Sequence, residues 1–153
     1  MKKIFSILML GLFLISPANK SYGVTDNQCL LFKNLFGDHV KQMDKVCKVE
    51  ISRKNLNVSI EGAKLSPEMM GLSLTANFER TGDATIVLGE FALLPQEVNP
   101  VIDALRKGDI QISAVHNHWF ERPQVLYLHF QSKGDPESLA QTVKSAIEVA
   151  QQK

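Results

Sequence analysis

Cysteine, tryptophan and tyrosine are scarce in this chain, at two, one and two residues, and the two cysteines do not form a C-x-x-C pair. There is no G-x-S-x-G nucleophile elbow and no glycine-rich loop of the kind that cradles phosphate. Thioredoxin-type, acyl-enzyme and nucleotide chemistries therefore lack support. Charge of one sign is also missing, with 17 Lys and Arg against 16 Asp and Glu, and such a balance argues against a nucleic-acid or anionic-membrane partner. Beyond the N-terminus no second long apolar run occurs, which excludes a later membrane-spanning helix and stable membrane insertion.

The N-terminus itself is distinctive. Lys2 and Lys3 precede an apolar run from Ile4 to Ile15 that stops at Ser16-Pro17. Twelve residues are too few to cross a bilayer as a helix, which takes roughly 20, but they suit a cleavable signal peptide. Ser21 and Gly23 fit a cut after Gly23, and Ser16 and Ala18 offer an alternative after Ala18. The expected division is thus a signal peptide over 1–23 and one domain over 24–153, in a periplasmic or secreted protein. A cut after Gly23 removes Lys2, Lys3 and Lys20, taking the basic count from 17 to 14 against 16 acids, a formal charge of −2. Cys29 follows Asn27-Gln28 and lacks the small-residue context of a lipid attachment site. In an oxidising compartment Cys29 and Cys47 are expected to bridge, the alternative being two buried thiols.

Apolar spacing predicts a short amphipathic helix between Asn27 and Val46, interrupted near Gly37-Asp38. Alternation then predicts two short strands, or one bent strand, from Cys47 to Ile60. Leu72–Glu79 and Ala84–Leu94 are expected to form a hairpin turning at Gly82. Asn99-Pro100 has the form of a helix start, with Asn as cap and Pro in the first turn, and Gly108 that of its end. Ile110–His118 and Val125–Ser132 predict an antiparallel pair, and Glu137–Gln151 an amphipathic final helix. The pattern is an α+β two-layer sandwich: a mostly antiparallel sheet, a C-terminal β-α-β-β-α unit, and helices packed on the sheet.

Chemistry is carried by histidines. His116 and His118, one residue apart on a predicted strand, leave the same face of the sheet. If Arg122-Pro123 centres the hairpin turn, His116 faces His129 and His118 faces Tyr127, and three imidazoles converge. A register shift of one residue would send His129 to the far side. Three neutral imidazoles with an open fourth position make a zinc-hydroxide type of site, although other divalent metals also fit. The same face could instead be a polar ligand pocket without metal, or the histidines could be structural. Glu97 and Glu121 are the nearest carboxylates in sequence; each could orient an imidazole, complete a metal shell or act as general base, or be no more than a first-turn acid and a turn residue, respectively.

Several stretches together resemble the LppY/LpqO family of exported bacterial proteins. They are Arg53-Lys54-Asn55-Leu56-Asn57-Val58 with Gly62, Leu88-Gly89-Glu90-Phe91, Glu97-Val98-Asn99-Pro100-Val101 with Ala104-Leu105, Ala114-Val115-His116-Asn117-His118, Pro123, His129-Phe130, and Gly134-Asp135-Pro136 with Leu139-Ala140. The resemblance covers roughly residues 45 to 150, and it names a relative without naming a reaction, because that family is a domain of unknown function. Members often carry two such domains and a lipidated cysteine, whereas this chain has one domain and no lipid-attachment context. The resemblance therefore implies that two copies could pair as a homodimer in place of the tandem.

Two functional expectations follow. One is a divalent-metal protein, with zinc foremost, using His116, His118 and His129 for hydrolase or lyase chemistry. The other is a non-enzymatic module that holds a small anionic or sugar-like molecule, or serves as an envelope structural protein.

Overall fold

The computed structural model describes residues 27–119 and 123–152. The expected signal peptide and Glu121 lie outside the described residues.

Helix α1 (Asn27–Phe36) buries Cys29, Phe32 and Phe36, whose three- and four-residue spacing makes one helical face. It ends sooner than the apolar spacing suggests. Gly37 adopts φ +61°, a left-handed conformation that costs glycine little, and a single 3-10 turn (Gly37–His39) leads into strand β1 (Val40–Met43). Val40 and Met43 thus belong to a strand, where Val40 pairs with Val49 of β2 (Val46–Ser52). The expected disulfide is present, and it ties α1 to β2 through Cys29 and Cys47, with Cα atoms 5.5 Å apart.

After β2 the chain leaves the sheet. Leu56 and Val58, expected to extend a strand, lie in a loop that ends in a two-stranded ribbon, β3 (Ser59–Ile60) and β4 (Ala63–Lys64). The hairpin of β5 (Ser73–Thr81) and β6 (Ala84–Leu93) forms as expected, with Gly82 in its two-residue turn at φ +63°. Helix α2 (Pro95–Lys107) begins one turn before Asn99-Pro100. Pro95 takes the first helical position, and Glu97 returns its carboxylate to the Leu94 amide at 2.8 Å, so the cap is supplied from inside the helix and not by Asn99. Strands β7 (Gln111–Trp119) and β8 (Val125–Gly134) follow, and then α3 (Pro136–Gln151), capped by Asp135 on the Ser138 amide.

The six long strands form one antiparallel sheet in the order β1-β2-β5-β6-β8-β7. Both β6 and β7 run antiparallel to β8, so α2 makes a crossover between parallel strands, while the last hairpin supplies the strand between them. All three helices contribute to the main core on one face of the sheet, where Phe32 stacks on Phe78 and Phe91 meets Phe130 edge-on. The architecture is the expected α+β sandwich. The other face carries only a small second core of Leu56, Val58, Met70, Leu72, Ala92, Val125 and Tyr127, made where the segment between β2 and β5 folds over one end of the sheet. Among the described residues the rest of that face is open, with Leu88 and Glu90 exposed.

Among the described residues, no helix is long and apolar enough to cross a membrane.

Candidate functional site

Strand alternation decides which side chains reach the open face. On β6, Gly89 points toward the helices, and a Cβ there would overlap the Phe130 ring, so glycine is what lets Phe130 lie flat against the strand. Its neighbour Glu90 is thereby placed on the opposite face, directly across from His129 of β8.

The hairpin of β7 and β8 is two residues out of the expected register. Ala114, and not His116, pairs with His129, and His116 pairs with Tyr127 where His118 was expected. The ladder shifts between Ile112 and Ala114 and again between Asn117 and Trp119, leaving Ser113 and His118 as extra residues on the edge strand. A displacement of two preserves side-chain parity, so the faces survive although the partners change. His116 and His129 meet diagonally, with Nε2 atoms 3.0 Å apart and rings stacked at 5.2 Å.

Three further contacts shape this cluster. His116 Nδ1 lies 3.4 Å from the Asn117 carbonyl, so the tautomer with its proton on Nδ1 donates there and leaves Nε2 as a lone pair. Glu90 Oε2 lies 3.5 Å from His129 Nε2, on the side away from β7. Behind them, Tyr127 is 3% exposed and donates its hydroxyl toward the carbonyls of Met70 and Gly71, at 2.8 and 3.0 Å. Burial, with a smaller push from the Glu90 charge, raises the Tyr127 phenol to about 12. It remains a neutral donor. His118 rests its ring against Tyr127 at 4.1 Å and stands 6.2 Å from the His116 ring. The structure thus gathers all three expected histidines around one tyrosine, with His116 and His129 in direct contact.

Asn117 turns the other way and accepts from the Gln124 amide at the neck of the hairpin. Glu97 is occupied elsewhere. Its two oxygens take Arg53 Nη1 and Nη2 at 2.9 and 2.8 Å, and Arg53, 2% exposed, also donates to the Ala92 carbonyl. This buried fork fastens the segment after β2 to the start of α2 and to the end of β6. None of these contacts is a histidine.

Sequence reasoning missed Glu90. It lies 39 residues from His129 along the chain, and only the pairing of β6 with β8 brings them together. The signal that could have found it was Gly89, a glycine inside an apolar strand, which marks close packing on one face and fixes what its neighbours do on the other.

As the side chains stand, no group of three or more His, Cys, Asp or Glu among the described residues is arranged to hold a metal ion. A hollow of about 680 Å³ lies elsewhere on the open face, over β1, β2, β5 and β6. It reaches Leu88, one strand repeat from Glu90.

No curated protein and no solved structure matches the chain. A family model does match over residues 31–149, from within α1 to within α3, a span that includes Arg53, Glu90, Glu97 and all three histidines of the cluster. The chain belongs to the family described as Domain of Unknown Function (DUF1259).

Proposed function

We propose that this chain is an exported protein of LppY/LpqO type that binds a divalent metal ion, zinc foremost, with His116 and His129 as ligands and His118 beside them. The observation that carries this is the 3.0 Å separation of the His116 and His129 Nε2 atoms on an exposed sheet face. Two nitrogens bound to one tetrahedral zinc at about 2.0–2.1 Å stand about 3.3 Å apart. The Asn117 carbonyl supports the assignment, since a metal-binding histidine commonly gives its other ring proton to such an acceptor. A divalent ion supplies Lewis acidity when bound, the chemistry on which a hydrolase or lyase draws. Glu121, three residues after His118, is the proposed general base. Glu97, held by Arg53, fastens the start of α2 and reaches no histidine of the site.

Export accords with the Lys2-Lys3 and Ile4–Ile15 pattern and with the Cys29–Cys47 disulfide, a bond typical of oxidising compartments. Homodimerisation remains part of the proposal through the family resemblance alone.

One observation favours a second reading. An Nε2 to Nε2 distance of 3.0 Å also suits a hydrogen bond in which His129 donates to His116, and such a pair could line a metal-free pocket for a small polar molecule. Metal analysis separates the two. Purified protein supplemented with zinc and then dialysed should retain one equivalent, and the variants His116→Ala and His129→Ala should retain none. Wild-type protein without stoichiometric metal would remove the metal reading and leave the pocket.

A further inference from the structure

We infer that Glu90 is a ligand of this metal site, so that one residue from each of three adjacent strands, Glu90 of β6, His129 of β8 and His116 of β7, makes a two-histidine, one-carboxylate centre. The inference rests on the metal reading above and deepens it.

Three observations carry it. First, His129 Nε2 faces two acceptors at once, His116 Nε2 at 3.0 Å and Glu90 Oε2 at 3.5 Å. A single N–H shared between the two bonds neither at full strength. If it is given to His116, the carboxylate is left at a distance well beyond the roughly 2.7–2.9 Å of a charge-assisted hydrogen bond. A cation between the three atoms satisfies all of them. Second, the two separations bracket the roughly 3.3 Å ligand-to-ligand edge of a tetrahedral zinc site. Both edges that meet at His129 thus have the length that neighbours around an ion take. Third, Glu90 has no competing cation: its cross-strand neighbours are Thr75 and His129, and the ion pair it forms among the described residues is with His129 alone.

Register explains the placement. Glu90 and His129 are direct partners, while His116 lies diagonal to His129, so the three Cβ atoms surround one patch of the open face. The Glu90 and His129 side chains are 47% and 32% exposed. Drawing the carboxylate onto the shared point asks for rotation of an exposed side chain. Two neutral imidazoles and one carboxylate leave a dication with net positive charge, and among the described residues the outward side of the patch is open. Such a centre would accept an oxygen-donor ligand from solvent, which a closed structural zinc site cannot do.

The test is zinc and cobalt(II) titration of the purified protein and of Glu90→Gln, Glu90→Ala, His118→Ala and Glu79→Gln, with far-UV circular dichroism of each metal-free form as the folding control. Loss of even an outer-shell partner costs roughly 10- to 100-fold in metal affinity, so both Glu90 variants should lose about 100-fold or more. They should also change the visible cobalt(II) band, whereas Glu79→Gln on the same face should match wild type. Glu90→Gln keeps the side-chain shape, so it separates lost coordination from lost fold. Wild-type binding left intact by both Glu90 variants, or abolished by His118→Ala instead, would overturn Glu90 while keeping the metal. Absence of binding by wild type would overturn the metal reading and this inference with it.

Discussion

Gly89 and Glu90 are adjacent on β6, yet they belong to regions built on opposite rules. Toward the helices, the sheet presents Phe78, Phe91 and Phe130 and meets Phe32 of α1, nearly all fully buried. Toward solvent it shows Glu90, His129 and His116, whose contacts are polar and few. The first face holds the molecule together, and the second is free to carry chemistry because little stability depends on it.

This contrast can be tested from its strongest end downward. Phe78→Ala removes a fully buried ring that stacks on Phe32, and should cost about 3–5 kcal/mol in chemical denaturation. A loss under 1 kcal/mol would mean that the helix face is not the principal core. Gly89→Ala puts a methyl group into the Phe130 ring and should cost about 1–3 kcal/mol, part of it recovered when Phe130 is also made smaller. No such coupling would break the account of how Glu90 is placed.

Tyr127 lies in the second core, beneath the histidines, and its loss should fall in between. Tyr127→Phe deprives the Met70 and Gly71 carbonyls of their donor and should cost about 1–3 kcal/mol near neutral pH. The phenol titrates near 10 when unfolded and near 12 in the fold, so its contribution is complete below pH 10 and is lost as pH rises through 12. The stability difference between wild type and Tyr127→Phe should narrow over that window; a constant difference would refute the burial argument. Smallest of all, His116→Ala and His129→Ala without metal should shift stability by no more than about 0.5 kcal/mol, although both should abolish zinc retention. A large stability loss in either variant would make the histidines structural.

Much of this plan was legible in residue order. Period-two alternation gave β5, β6, β7 and β8, and apolar steps of three and four gave α3, because both patterns follow from local geometry. Boundaries were harder. The start of α2 moved from Asn99 to Pro95 because Glu97 caps the helix from within, and Leu56 and Val58 became the seed of a second core and not a strand. In the site, the shared face of His116, His118 and His129 was readable, since it depends only on parity. Their partners were not, because Trp119 pairs with Val125, one residue off the expected register, and the bulge at His118 adds a second residue, and neither leaves a mark in composition.

Residue order alone fixes an α+β chain with a histidine pair on one side of a strand, since side-chain periodicity belongs to each segment separately. Tertiary structure alone decided that Glu90 joins them and that Glu97 goes to Arg53, because sheet order and register set contacts between residues distant in the chain.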